Sequence, residues 1–164
     1  MSAALASSPS SRPDPRPDAN FGYLFRLAHQ RFRALLDNAL ADLGLSAQDY
    51  GILSVFETRP ELSIAELARV TQVTRQTMHT SVVGLEAAGL VERAARNRRV
   101  VLLRLTTRGY ERLEAATHRV RRVEHAALAD LSPQDQRTVR VWLATLAATT
   151  VTPQQAGVSA EERR

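Results

Sequence analysis

At three places in this chain a serine followed, three residues on, by a carboxylate stands at the head of an apolar-periodic stretch: "SAQD" at 46–49, "SIAE" at 63–66 and "SPQD" at 132–135. Each spells a capping box. The serine hydroxyl and the carboxylate satisfy, reciprocally, N–H groups that the first turn of a helix leaves without partners. In the third box Pro133 stands at the first helical position, where its missing N–H costs nothing. A chain that marks helix starts this often folds mainly into helices.

The apolar spacing fills in the elements between these starts. From Asn20 to Leu43, apolar residues recur at steps of three and four, with Asp18 or Asn20 as cap and Gly44 as stop. The stripe is broad, and at its N-terminal end (Phe21, Leu24, Phe25) it needs more than one neighbour, which points to a subunit partner. After Ser46 a second helix turns Ile52, Leu53, Val55 and Phe56 inward and ends at Arg59-Pro60. After Ser63 a short third helix carries Ile64, Leu67, Ala68 and Val70. "TQVT" makes a tight turn, and Thr74 caps a fourth helix over about 75–88, with Met78, Val82 and Leu85 inward and Gly89 at its end. Two short helices joined by a tight turn form a helix-turn-helix.

Residues 90–93 read as a strand, Val100–Leu105 as a second, and the residues between them as a loop. This pair adds a wing with Arg96 to Arg99 at its tip. Thr106 caps a long fifth helix of about 108–130, and Ser132 a sixth whose stripe is Val139, Trp142, Leu143 and Leu146. The expected fold is mainly α with a small β-wing. A winged helix-turn-helix is flanked by a helical dimerisation domain, with six helices and two to three short strands. The expected boundaries are 1–19 (disordered tail), 20–60 (first two helices), 61–108 (winged helix-turn-helix), 109–150 (last two helices) and 151–164 (flexible tail).

Charge says where function sits. The formal net charge is +5. Between residues 63 and 108 eight arginines stand against Glu66, Glu86 and Glu92, so this segment carries the whole excess. All 22 basic residues are arginine, a planar fork suited to phosphates and base edges. A local excess on a neutral remainder is the footprint of a nucleic-acid surface, or else an ordinary solvated face. The absence of cysteine removes disulfides and thiolate chemistry. No apolar run approaches the ~20 residues of a membrane span, and residues 1–18 do not read as a secretory signal, so a cytoplasmic protein is expected.

With this order of elements in place, the chain resembles the MarR (multiple-antibiotic-resistance regulator) family over about residues 20–150. The motifs that carry the resemblance are "GLVERAARNRRVVLLRLTTRG" at 89–109, "LSIAELARVTQVTRQTMHTSVVGLEAAG" at 62–89 and "LSPQDQ" at 131–136. The resemblance implies a homodimer whose chain ends intertwine and whose two winged helices enter successive major grooves of a pseudo-palindromic duplex. The dimer contacts would come from Phe21, Leu24, Phe25, Leu128, Leu131, Val139, Trp142, Leu143 and Leu146. Arg99 matches the wing arginine that enters the minor groove, with Arg96 and Arg98 on phosphates. Here Asn97 stands where the family has a wing aspartate, and the wing loop is about three residues short. Thr80 and Gly84 stand where the family often has arginine, which shifts phosphate anchoring onto Arg75 and the wing.

The exposed start of the fourth helix is Arg75, Gln76, Thr77, His79 and Thr80. Arginine can be bidentate to guanine and glutamine to adenine, so Arg75 and Gln76 are expected to read bases. Thr74 and Thr77 would combine capping with phosphate contact. In the resembled family small aromatic acids bind between the dimer helices and the winged helix. Tyr23, Arg26, His29 and Tyr50 are the candidates to hold such a carboxylate, and a phenolic effector is the one small-molecule partner expected. The competing and more ordinary reading is that they solvate surfaces or dimer contacts. His118 and His125 are seven residues apart, wider than the usual metal-ligand spacing on a helix, so no metal is expected. No phosphate loop or nucleophile elbow is present, so catalysis is not expected. The expected function is a dimeric, ligand-responsive transcriptional repressor; the rival is a winged-helix module that binds an acidic protein without a specific operator.

Overall fold

The structure, a computed structural model, describes residues 16, 18–97 and 100–149, with the side chains at 95–97 and 100 left aside. Both expected tails fall almost wholly outside these residues. Six helices and one two-stranded antiparallel sheet follow in order: α1 (Phe21–Leu40), α2 (Ala47–Val55), α3 (Ile64–Thr71), α4 (Arg75–Ala87), β1 (Val91–Asn97), β2 (Val100–Leu105), α5 (Thr107–Ala127) and α6 (Pro133–Ala148). The chain divides into two units, one ending at Val123 and the other beginning at Glu124.

The caps are where the serines place them. The Ser46 hydroxyl accepts from the Asp49 amide while Asp49 accepts from the Ser46 amide at 3.0 Å. Ser63 and Glu66 repeat the arrangement at 2.9 Å. At Ser132 the return bond to Asp135 comes from the serine hydroxyl at 2.6 Å. Of the two candidates for the first helix, Asn20 is the cap, accepting from the amides of Gly22 and Tyr23. That helix tightens into a 3-10 turn at Ala41–Leu43 before Gly44 stops it at φ 66°, a left-handed conformation open to glycine.

The core of the first unit is built around the helix-turn-helix. Leu40, Ile52, Leu53, Phe56, Leu67, Met78, Val82, Leu85 and Leu103 are buried, and Leu113, Ala116 and Val120 of α5 join the same cluster. Two arginines of α5 reach the end of the first helix: Arg112 donates to the Leu43 carbonyl, and Arg119 to Asp42 at 2.6 Å. They supply cations where the helix dipole is negative and carbonyls lack partners.

Two details differ from the sequence reading. The first wing strand runs on to Asn97, because small Ala94 and Ala95 pair with Leu102 and Val101 and continue the ladder. The register shifts between Ala95 and Asn97, so Arg96 is the extra residue of a bulge within the strand. The optional third strand is a single bridge, in which Leu62 and Leu103 exchange backbone bonds of 3.2 and 2.7 Å.

Candidate nucleic-acid interface

Helix α4 is anchored from behind and open in front. Met78, Val82 and Leu85 sink into the core, and Gln48 of α2 donates to Ser81 at 2.9 Å. The N-cap Thr74 accepts from the Thr77 amide at 3.1 Å, and the two threonine hydroxyls lie 2.8 Å apart. Thr80 donates back to the Gln76 carbonyl at 3.2 Å. Thr74, Arg75, Gln76, Thr77, His79 and Thr80 are all exposed. They form one continuous surface on the first two turns.

The electrostatics of this helix start differ from those of α2, α3 and α6, which each place an acid in the first turn (Asp49, Glu66, Asp135). α4, like α1 and α5, has none, and it puts Arg75 at its first position. An arginine there faces the positive end of the dipole, which is unfavourable within the chain and favourable toward an external anion.

The charge excess is not spread evenly either. Arg93 of β1 makes a two-pronged pair with Glu86 of α4, at 2.7 and 3.0 Å, and this carboxylate raises the arginine's pKa further above its ordinary value. Arg104 meets Glu92 directly across the sheet at 2.7 Å. Glu66 is occupied by its own cap. Among the described residues Arg69, Arg75 and Arg108 make no ion pair, so Arg93 and Arg104 serve the fold while Arg75 stays available at the open face. Arg98 and Arg99 lie outside the described residues; Arg96 lies in β1, and its side chain is left aside.

The fold of this surface matches known proteins. A family model described as the MarR family matches residues 43–99. The HTH-type transcriptional repressor Rv2887 of Mycobacterium tuberculosis is 37% identical over 122 residues, which is 73% of this chain and 88% of the relative. The chain belongs to the MarR family. A crystal structure of the MarR-family protein Rv2887 in complex with DNA superposes with a TM-score of 0.67 at 35% identity, covering 80% of this chain and all of that one. A probable transcriptional regulator from Pseudomonas aeruginosa gives 0.73 at 32%, over 80% of this chain and 99% of that one. Rv2887 is also known in complex with salicylic acid, at 36% identity and a TM-score of 0.65 over 79% of this chain and 98% of that one. Repression, DNA binding and salicylic acid binding are thus properties of Rv2887, a MarR relative that shares this chain's fold at more than 30% identity.

The other expected residues of this MarR-family chain are placed as follows. Phe21 and Phe25 stack at 6.0 Å and are exposed, Leu24 is half-buried, and α6 has no buried residue. Leu131, Trp142, Leu143 and Leu146 are exposed, while Leu128 and Val139 are partly covered. Val141, at 66%, is more exposed than any of them; its place between Val139 and Trp142 is the signal that could have added it to the set. Arg26 lies 5.4 Å over the Tyr23 ring and bonds Gln30, His29 is exposed, and Tyr50 packs against the core of the first unit. None of these four lines the clefts beside Tyr110 or the apolar cleft of about 320 Å³ between α2 and α3. Among the described residues no three acids and histidines converge as metal ligands, and no helix is long and apolar enough to cross a membrane.

Proposed function

We propose that this protein is a homodimeric, sequence-specific DNA-binding transcriptional repressor whose hold on a pseudo-palindromic operator is released by a small aromatic acid. The observation that carries the reading is the open start of α4: base-reading side chains Arg75 and Gln76 at a helix N-terminus with no acid, on a face that a core anchors from behind. That Rv2887, with the same fold, is seen bound to DNA and to salicylic acid supports both halves. The protein acts by binding rather than by catalysis, and its place of work is the cytoplasm, where the DNA is.

In this reading Arg75 and Gln76 contact base edges, Thr74, Thr77, His79 and Thr80 support them with backbone and edge contacts, and Arg96, Arg98 and Arg99 hold the flanks, Arg99 in the minor groove. The dimer forms through Phe21, Leu24, Phe25, Leu128, Leu131, Val139, Trp142, Leu143 and Leu146. It sets two recognition helices about one turn of duplex apart. An effector works by altering that separation, so affinity falls with every base contact intact. Tyr23, Arg26, His29 and Tyr50 are the proposed effector contacts, with the Arg26 guanidinium as the carboxylate anchor.

Selection from a random duplex pool tests the function. A repressor enriches an inverted repeat and prefers it over random duplex by ~10³ or more, with affinity falling steeply as salt rises. Equal binding to every duplex overturns the reading in favour of a protein-interaction module. Raised thermal stability in millimolar salicylate, lost in Arg26→Gln, tests the effector and its anchor.

A further inference from the structure

Beyond its polar start, α4 presents a different surface. Positions four, three and four residues apart share one helix face, and along the open face these are Gln76, Thr80, Val83 and Ala87, with Gly84 alongside. Thr80 has turned its hydroxyl donor onto the Gln76 carbonyl. Gly84 and Ala87 offer a bare backbone and one methyl. Glu86 is taken by Arg93. Val83 is therefore the one side chain that projects from the later turns of this face, and it is 47% exposed while its neighbour Val82 is fully buried. The fold gains little from it: β-branched residues are poor helix formers, and nearly half of this side chain stays exposed.

We propose that Val83 is a specificity-determining residue that reads a thymine by its C5-methyl group in the major groove. Thymine is the base that places a methyl in that groove, and apolar side chains are its natural readers. The small residues on either side let the helix lie close enough for methyl-to-methyl contact. The half-site is then read in two chemistries: hydrogen bonds from Arg75 and Gln76 at the helix start, and apolar contact from Val83 further along. This inference rests on the proposed DNA-binding function.

The test uses the full chain and the duplex it enriches from a random pool. Each thymine of that duplex is replaced in turn by deoxyuridine, which keeps every hydrogen bond and removes only the methyl. At one thymine per half-site the replacement should weaken the wild type about four-fold, as expected for one buried methyl, and leave Val83→Ala unchanged, because the variant has already lost the contact. Val83→Ala should melt no lower than the wild type, since alanine is the better helix former. If the uridine penalties are the same in both proteins, or no thymine methyl matters to the wild type, the inference is overturned while the regulator reading stands. If the pool yields no enriched sequence, the regulator reading itself fails and the inference with it.

Discussion

The Thr106 hydroxyl donates a 2.7 Å hydrogen bond to the Gly89 carbonyl and accepts one of 2.9 Å from the Gly109 amide. One side chain thus caps the long helix α5 and closes the turn that ends the recognition helix α4. Thr106→Val removes both bonds in a half-buried place. Loss of a cap typically costs 0.5–2 kcal/mol, so a destabilisation of about 1–2 kcal/mol is expected by denaturant unfolding, with Thr106→Ser close to the wild type.

Gly109 is required by the same junction. A β-carbon there would lie 2.1 Å from the Leu90 carbonyl oxygen and 3.1 Å from its carbon. The obstacle is backbone, which cannot rotate away as a side chain would. Gly109→Ala should destabilise by about 1–3 kcal/mol despite alanine's better helix propensity, read as a lower melting temperature.

Gly84 should respond in the opposite way. A β-carbon there meets nothing within 4 Å. Gly84→Ala should stabilise the chain by up to about 1 kcal/mol, and its affinity for the enriched duplex should fall, because the added methyl stands on the face offered to DNA. A variant that gains stability and keeps full affinity would show that this turn does not approach the groove.

Glu66 gives a pH signature. Hydrogen bonds from the Ser63 hydroxyl and amide hold its carboxyl below the ordinary value of 4.5, with the Arg69 and Arg59 charges adding to them. A carboxyl lowered in the folded state favours folding in its charged form. Its contribution is present above the unfolded pKa and lost as pH falls through the folded one. Melting curves at falling pH should show a smaller acid loss for Glu66→Gln than for the wild type; equal losses would remove the cap from the account.

Gln76 and the α6 stripe separate two functions. Gln76→Ala should weaken the enriched duplex by about 1–3 kcal/mol and random duplex hardly at all, measured by titration at fixed salt. Leu143→Asp should instead convert a dimer to monomer in sedimentation and weaken every two-site duplex while leaving half-site binding intact.

Much of this was legible in the chain because its signals are local. A serine and a carboxylate three residues apart form a cap within one turn, and apolar steps of three and four need only the helix itself. So the helix starts at Ala47, Ile64, Arg75 and Pro133 and the inward set Met78, Val82 and Leu85 follow from the sequence alone. What the sequence left open depends on contacts between distant residues. Strand β1 running to Asn97 and the pairing of Arg104 with Glu92 were decided only when two segments met. The same holds for the exposed face of α4. Valines 82 and 83 are adjacent and identical in chemistry. The steps of four and three from Met78 to Leu85 already turn Val82 inward; how much of Val83 stays exposed is set by how far the core of α2, α3 and α5 wraps around the helix, and only the tertiary structure decides that.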